Sequence, residues 1–415
     1  MAMVKTSTTM TPRCLSDAAE INYGKQLQFL YRKHDWFTLR DAVCELGEYG
    51  FFRGIVACVF NEFPECLDYL FPVIVADLRS HTAHHAQDLL VWKYMRQGKF
   101  RSALAHSESI VAISSGEKRR HSLLKTLARW PEQSVGRHHA SALCYEMLEG
   151  SMFIPTTVNG LTANFMIDSG ATISMITQSM ARQLGLPIHA VPPEATGIYG
   201  ATGVETAFHI AIAARLDIGE CRLLNVTFLV LEDEHFQFPP AYAGALGLPV
   251  LVALRTLSWN RTGEFRFAFP AQPRDIQKAN ICFDGPEPLI NVVFHHRKLP
   301  LVLDTGSSST IFGPTLVTRF PDLVDLERKS TVLVRGVSGS AEIASVCLPG
   351  MALHVGGFST AVHSAHMLLS TTTPNSNWLC GRLGIDYLNQ ADKVTLDFHC
   401  MTVTLEKDEN VSRSS

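Results

Sequence analysis

The octapeptide Phe165-Met166-Ile167-Asp168-Ser169-Gly170-Ala171-Thr172 has a twin in Leu301-Val302-Leu303-Asp304-Thr305-Gly306-Ser307-Ser308. Each is an apolar run that ends abruptly in an acid, a small hydroxyl residue and a glycine. An uninterrupted apolar run reads as a strand buried on both faces. An ionisable carboxylate at the end of such a strand is costly unless it is hydrogen-bonded, paired or in use. Asp-Ser-Gly alone is a common turn. Two such endings in one chain point to a pair of carboxylates brought together.

The landmarks downstream of the two acids fall in step. Gly200 follows Asp168 by 200−168 = 32 residues and Gly336 follows Asp304 by 336−304 = 32. Gly203 and Gly339 both lie 35 residues on, by 203−168 and 339−304. Gly219 and Gly356 lie at 219−168 = 51 and 356−304 = 52, and the glycines of Ala245-Leu246-Gly247 and Arg382-Leu383-Gly384 at 247−168 = 79 and 384−304 = 80. Each series closes on an apolar β-ribbon, Leu257 to Phe269 and Val394 to Leu405. A spacing held to one residue over so long a stretch is an internal duplication.

Within each copy, short runs rich in Val, Ile, Thr and Phe alternate with glycine turns, an all-β texture. Asn159-Gly160, between two such runs, is a strong hairpin signal, and the strand after it leads into Asp168. The polar, proline-bearing segment 271–279 reads as the linker between copies.

The first third differs. From 21 to 148 apolar residues recur at helical spacing, as in Leu39, Val43 and Leu46 or Ile55, Val59 and Phe60. The unit from Trp92 to Leu104, turning at Gly98, resembles the helix-turn-helix centre of a tetratricopeptide repeat. No regular period of about 34 residues runs through the region, so the expectation is a repeat-like helical domain. Such a domain could bind a protein partner or stabilise the rest. His81, His84 and His85 share one helical face, but no carboxylate or cysteine nearby in sequence completes a metal site, and none is expected.

With 415 residues, 46% hydrophobic and 18% charged, the chain is long enough for two or three cored domains. A net charge of −3 makes no electrostatic case for nucleic acid. No apolar run is long enough to span a bilayer. The polar stretch 1–20 lacks a signal-peptide core, which points to the cytoplasm, or to the periplasm or exterior if the chain is a trimmed mature form. The ten cysteines form no CxxC pair and read as free thiols.

Two similar lobes packed about a pseudo-twofold axis bring equivalent strand ends together. Asp168 and Asp304 would meet there, share a proton and titrate as a pair. One carboxylate can then take a proton from water while its protonated partner polarises a carbonyl, which hydrolyses a peptide without a covalent intermediate. Ser169 and Thr305 offer hydroxyls that can reach across to the opposite lobe. Gly170 and Gly306 allow backbone N–H groups close to the carboxylates. Gly200 with Gly203, and Gly336 with Gly339, read as tips of hairpins able to close over an extended peptide. Tyr199, beside the first tip, could reach into the site or simply pack.

At these residues the chain resembles the aspartic peptidases of the retropepsin and pepsin group, most of all bacterial retropepsin-like proteins with two lobes fused in one chain. The first motif has Ser169 where threonine is commoner in that group, which keeps the hydroxyl. The resemblance implies a multidomain α plus all-β architecture. A flexible N-terminus over 1–20 precedes the helical domain at 21–148, itself similar to extensions on some of those proteins. Two β-barrel lobes follow at 150–270 and 280–406, joined by 271–279, with a tail at 407–415. It further implies an aspartic endopeptidase with Asp168 and Asp304 as catalytic pair, Ser169, Gly170, Thr305 and Gly306 supporting them, and Tyr199, Gly200, Gly203, Gly336 and Gly339 on the flaps. The expected enzyme needs no cofactor, acts on polypeptides and works as a monomer. The alternative is an adaptor that holds peptides without cutting them.

Overall fold

The structure is a computed structural model that describes residues 17–46, 50–62, 65–110, 114–235, 242–270, 272–323, 328–336, 339–363, 365–370 and 379–407. Residues 1–16 and 408–415, and with them most of the two expected flexible ends, lie outside the described residues, as do Cys14, linker residue 271 and the flap residues Val337 and Ser338.

Seven helices occupy the first third among the described residues: Asp17–Arg32, Trp36–Leu46, Gly50–Val59, Glu65–Ala76, His81–Met95, Phe100–Glu108 and Ser115–Leu127. Each packs on the next. Local chemistry sets several ends. Ser80 accepts from the Ala83 N–H at 3.1 Å, and Ser114 with Glu117 forms a reciprocal capping box. Gly98 turns the chain between helices with φ 67°, and a Cβ there would lie 2.7 Å from the Gln133 side chain.

The helical expectation for 21–148 overran its domain. The last helix ends at Leu127, and Ser134–Arg137, Ser141–Cys144 and Glu146–Leu148 are strands paired with Cys221–Leu231, Glu264–Phe267 and Ser151–Val158. Strands of three or four residues are too short to show a period, so only their pairing partners reveal them.

Both lobes build the same arrangement. In the first, Leu161–Ile167 runs between Ser151–Val158, antiparallel, and Tyr242–Leu246, parallel. In the second, Arg297–Leu303 runs between Glu287–Phe294, antiparallel, and Gly381–Leu383, parallel. Both central strands follow a two-residue hairpin turn with positive φ at each position, Asn159-Gly160 in one lobe and His295-His296 in the other. His295-His296 thus acts as turn chemistry. Gly244, within Tyr242–Leu246, and Gly381, at the start of Gly381–Leu383, take φ of 159° and 148°, where a Cβ would run into the backbone of Met175 and of Ile311.

The two closing ribbons belong to neither lobe alone. Thr256–Asn260 pairs with Lys393–Asp397, so ribbons from both lobes and Ser141–Cys144 form one five-stranded sheet. Its Trp259 Nε1 donates to Asn389 Oδ1 at 2.9 Å. The helices pack on this body at several points. Arg40 Nη1 donates to the carbonyls of Ile276 and Ala279, which pins the segment between lobes. Arg96 Nη1 donates to the Gly285 carbonyl while its guanidinium lies 4.3 Å from the Phe283 ring centroid. The result is a helical domain followed by two similar β lobes joined through one shared sheet. No helix among the described residues is long and apolar enough to cross a membrane.

Candidate active site

Each motif aspartate sits where its central strand stops. The Asp168 N–H donates to the Leu246 carbonyl and that of Asp304 to Leu383, both at 3.1 Å, so the neighbouring parallel strand carries each acid one residue further. The chain then turns. Gly170 N–H donates to Asp168 Oδ1 at 2.9 Å, and Gly306 and Ser307 N–H donate to Asp304 Oδ1 at 3.1 Å. These backbone donors stabilise a charged carboxylate. Behind each turn, Gly247 N–H donates to Ser174 Oγ and Gly384 N–H to Thr310 Oγ1, which fixes both loops in the same way.

The two turns lock into each other. Ser169 N–H donates to Thr305 Oγ1 and Thr305 N–H to Ser169 Oγ, both at 3.0 Å. Each hydroxyl passes its own proton onward, Ser169 to the Leu303 carbonyl at 2.7 Å and Thr305 to the Ile167 carbonyl at 2.8 Å. Both residues are fully buried, so every polar group in this grip has to be paired. The closure explains the glycines. A Cβ on Gly170 would lie 2.6 Å from Asp304 Oδ1, and one on Gly306 would strike the Asp168 carboxylate. Each glycine therefore makes room for the other lobe's acid.

Burial, then the Asp304 charge, push the Asp168 carboxyl up to about 8. The site is not symmetric in charge, however. Arg382, half-buried on Gly381–Leu383, places Nη1 3.1 Å from Asp304 Oδ2 and Nη2 3.1 Å from Glu287 Oε1. In the first lobe the equivalent strand position, opposite Met166 as Arg382 is opposite Val302, is Ala245. The equivalent of Glu287, seventeen residues before the acid by 304−287 and 168−151, is Ser151. Neither Arg382 nor Glu287 was among the expected site residues. The available signal was a cation inside an otherwise apolar strand ending, visible when the two copies are aligned.

The flaps differ too. The first is short, Ile198–Tyr199 against Glu205–Thr206, with Gly200 and Gly203 at its tip. The Tyr199 hydroxyl donates to Glu205 Oε2 at 3.2 Å, and Arg119, on Ser115–Leu127, holds Glu205 Oε1 at 2.5 Å. The structure thus places Tyr199 in the flap's own polar network. The second flap is a long ribbon, Lys329–Gly336 against Gly339–Cys347. The tips approach each other, since a Cβ on Gly336 would lie 3.0 Å from the Ala201 nitrogen. Of the helix histidines, His84 Nε2 lies 3.0 Å from Glu117 Oε1, an ordinary side-chain pair between helices.

Residues 154–250 match the family model described as aspartyl protease. That match spans the first motif, Asp168-Ser169-Gly170, and the strand and turn around Gly247. Among solved structures, the chain is similar to a retropepsin-like aspartic protease from Rickettsia conorii. That match has 17% identity over 33% of this chain and 92% of the other, with a TM-score of 0.22. An aspartic proteinase from Irpex lacteus matches at 9% identity over 65% of this chain and 98% of the other, with a TM-score of 0.38. No curated protein matches the chain.

Proposed function

We propose that the protein is an aspartic endopeptidase in which Asp168 and Asp304, one from each lobe, activate a single water molecule. The observation that carries this reading is the reciprocal Ser169–Thr305 grip, which sets each carboxylate against the glycine of the opposite motif. Two carboxylates held so close hold one proton between them. The ionised member takes a proton from water as the water oxygen bonds to the peptide carbonyl carbon. The carbonyl oxygen takes the proton of the other member, giving a neutral gem-diol. The C–N bond then breaks as the amine nitrogen is protonated by the first carboxyl, and a diol proton returns to the second.

The substrate class is an extended polypeptide, held between the strand ends and the two flaps carrying Gly200, Gly203, Gly336 and Gly339. Tyr199 contributes by stiffening the first flap. One chain supplies both acids, so the active unit is a monomer. The test is cleavage of a dye-labelled denatured protein by the purified full chain, set beside Asp168→Ala and Asp304→Ala. Loss of cleavage in both variants supports the reading, and undiminished cleavage in either overturns it.

A further inference from the structure

Arg382 and Glu287 have no counterpart in the other lobe, and they rest on a relay that begins in the helical domain. Arg96 donates to the Gly285 carbonyl at 2.5 Å, in the turn that joins Ile281–Asp284 to Glu287–Phe294. On the same hairpin, Asp284 receives His34 Nδ1 at 2.8 Å. Glu287 leaves that turn with Oε1 on Arg382, while its Oε2 is buried with no hydrogen-bond partner among the described residues. Burial raises the Glu287 carboxyl and the Arg382 guanidinium opposes that rise, and Arg382 completes the relay on Asp304 Oδ2. The strand on the other side of Arg382 presents Ile311, which carries no charge. The charged groups facing Arg382 are thus Asp304, Glu287 and, across the lobe boundary, Asp168, while Asp284 stands behind Glu287 with His34 and Arg96 beside it.

We propose that Arg382, aimed by Glu287, is a positioning residue that holds Asp304 as the ionised member of the pair and leaves Asp168 as the protonated one. This rests on the peptidase reading and deepens it by assigning the two acids different roles. Asp304 takes the proton from water, and Asp168 protonates the carbonyl oxygen. A guanidinium in contact with one carboxylate stabilises its charged form far more than that of a carboxylate further off. The first lobe offers Asp168 only Ala245 at the matching place. Burial, which raises the Asp168 carboxyl, works in the same direction. A second consequence concerns pH. The singly protonated pair survives into more acidic solution than it would without the cation, so the working range extends downward from neutrality.

The test compares full-length wild type with R382A, R382K and E287Q, all checked for native melting behaviour. Cleavage of dye-labelled casein is followed from about pH 3 to about pH 8, which spans both limbs of a bell-shaped profile. R382A should move the acid limb upward by about one pH unit or more, and R382K should restore most of that shift. E287Q should change the limb less than R382A. An unmoved acid limb in a folded R382A overturns the proposal. So does a uniform gain in rate at every pH, which would mark Arg382 as a plug. Carboxyl carbon NMR of aspartate-labelled protein reads the same property without activity, with Asp168→Asn used to assign the resonances. Asp304 should account for the lower ionisation of the pair in wild type, and that ionisation should rise in R382A. If Asp168 accounts for it instead, the proposal fails even where casein is cleaved. If the titrations behave as stated and no protein is cut, the peptidase reading fails while the assignment stands.

Discussion

The lobes can be compared residue by residue around their acids. Asp168 and Asp304 share the backbone donors, the hydroxyl grip, the glycine that admits the opposite carboxylate and the hydroxyl behind the loop. They differ in what stands beside them. Ala245 and Ser151 in the first lobe become Arg382 and Glu287 in the second. The flaps differ in the same sense: Arg119 ties the first to a helix, whereas the second reaches the other lobe through Arg335 and Glu149, an exposed pair at 3.1 Å. The repeated parts are those that must be paired when buried. The parts that diverge are the neighbours of the acids and the flaps, and the charges added in the second lobe, Arg382 and Glu287, are paired with each other. Two lobes of the same arrangement thus carry two electrostatic faces.

The harshest way to break the comparison is to remove one acid at a time. Asp168→Ala and Asp304→Ala should each lower cleavage by roughly 10³-fold or more, because acid and base act as one unit. A large difference between them in residual rate would show that one carboxylate works alone.

Next in size is the grip. Thr305→Val leaves the buried Ser169 N–H without an acceptor, and Ser169→Ala does the same to the Thr305 N–H. Each should cost about 1–3 kcal/mol of stability, read as a lower urea midpoint at unchanged slope. Equal losses would confirm that the two hydroxyls are interchangeable in load.

A gentler probe uses pH. The Asp168 carboxyl is raised to about 8 in the folded protein, mainly by burial and then by Asp304, so the folded state binds a proton that the unfolded chain releases near its ordinary carboxylate value. Stability from this group is complete below that ordinary value and declines as pH rises toward about 8. Asp168→Asn should flatten the fall in stability between about pH 4 and about pH 8, measured by denaturant titration at each pH.

The smallest expected effect is at the first flap. Glu205→Gln weakens an exposed pair with Arg119, which is worth at most about 1 kcal/mol. Amide exchange across 198–206 should quicken several-fold, in line with that energy, while 329–336 and 339–347 stay unchanged. Equal quickening in both ribbons would show that the helix does not hold the flap.

Much of this was legible in the chain itself. Asp-Ser-Gly and Asp-Thr-Gly after apolar runs, the turn at Asn159-Gly160 and the matched glycine spacing all express local backbone rules, and local rules can be read from neighbours in sequence. The same rules missed Ser134–Arg137, Ser141–Cys144 and Glu146–Leu148, because a strand of three or four residues has meaning only through its partner. The helical third was recognisable from periodicity, but its contacts with the lobes were not.

Sequence alone therefore determined the two acids, the residues that let them approach, and the duplicated frame. Tertiary structure decided what surrounds them. Arg382 reaches Asp304 and Glu287 across separations of 78 and 95 residues, and Arg119 reaches Glu205 across 86. Such pairings depend on where folded strands and helices come to rest, and no periodicity or motif encodes the partner of a single charge. The strand endings could be read residue by residue. The asymmetry between Asp168 and Asp304 exists only once both lobes and the helices are packed.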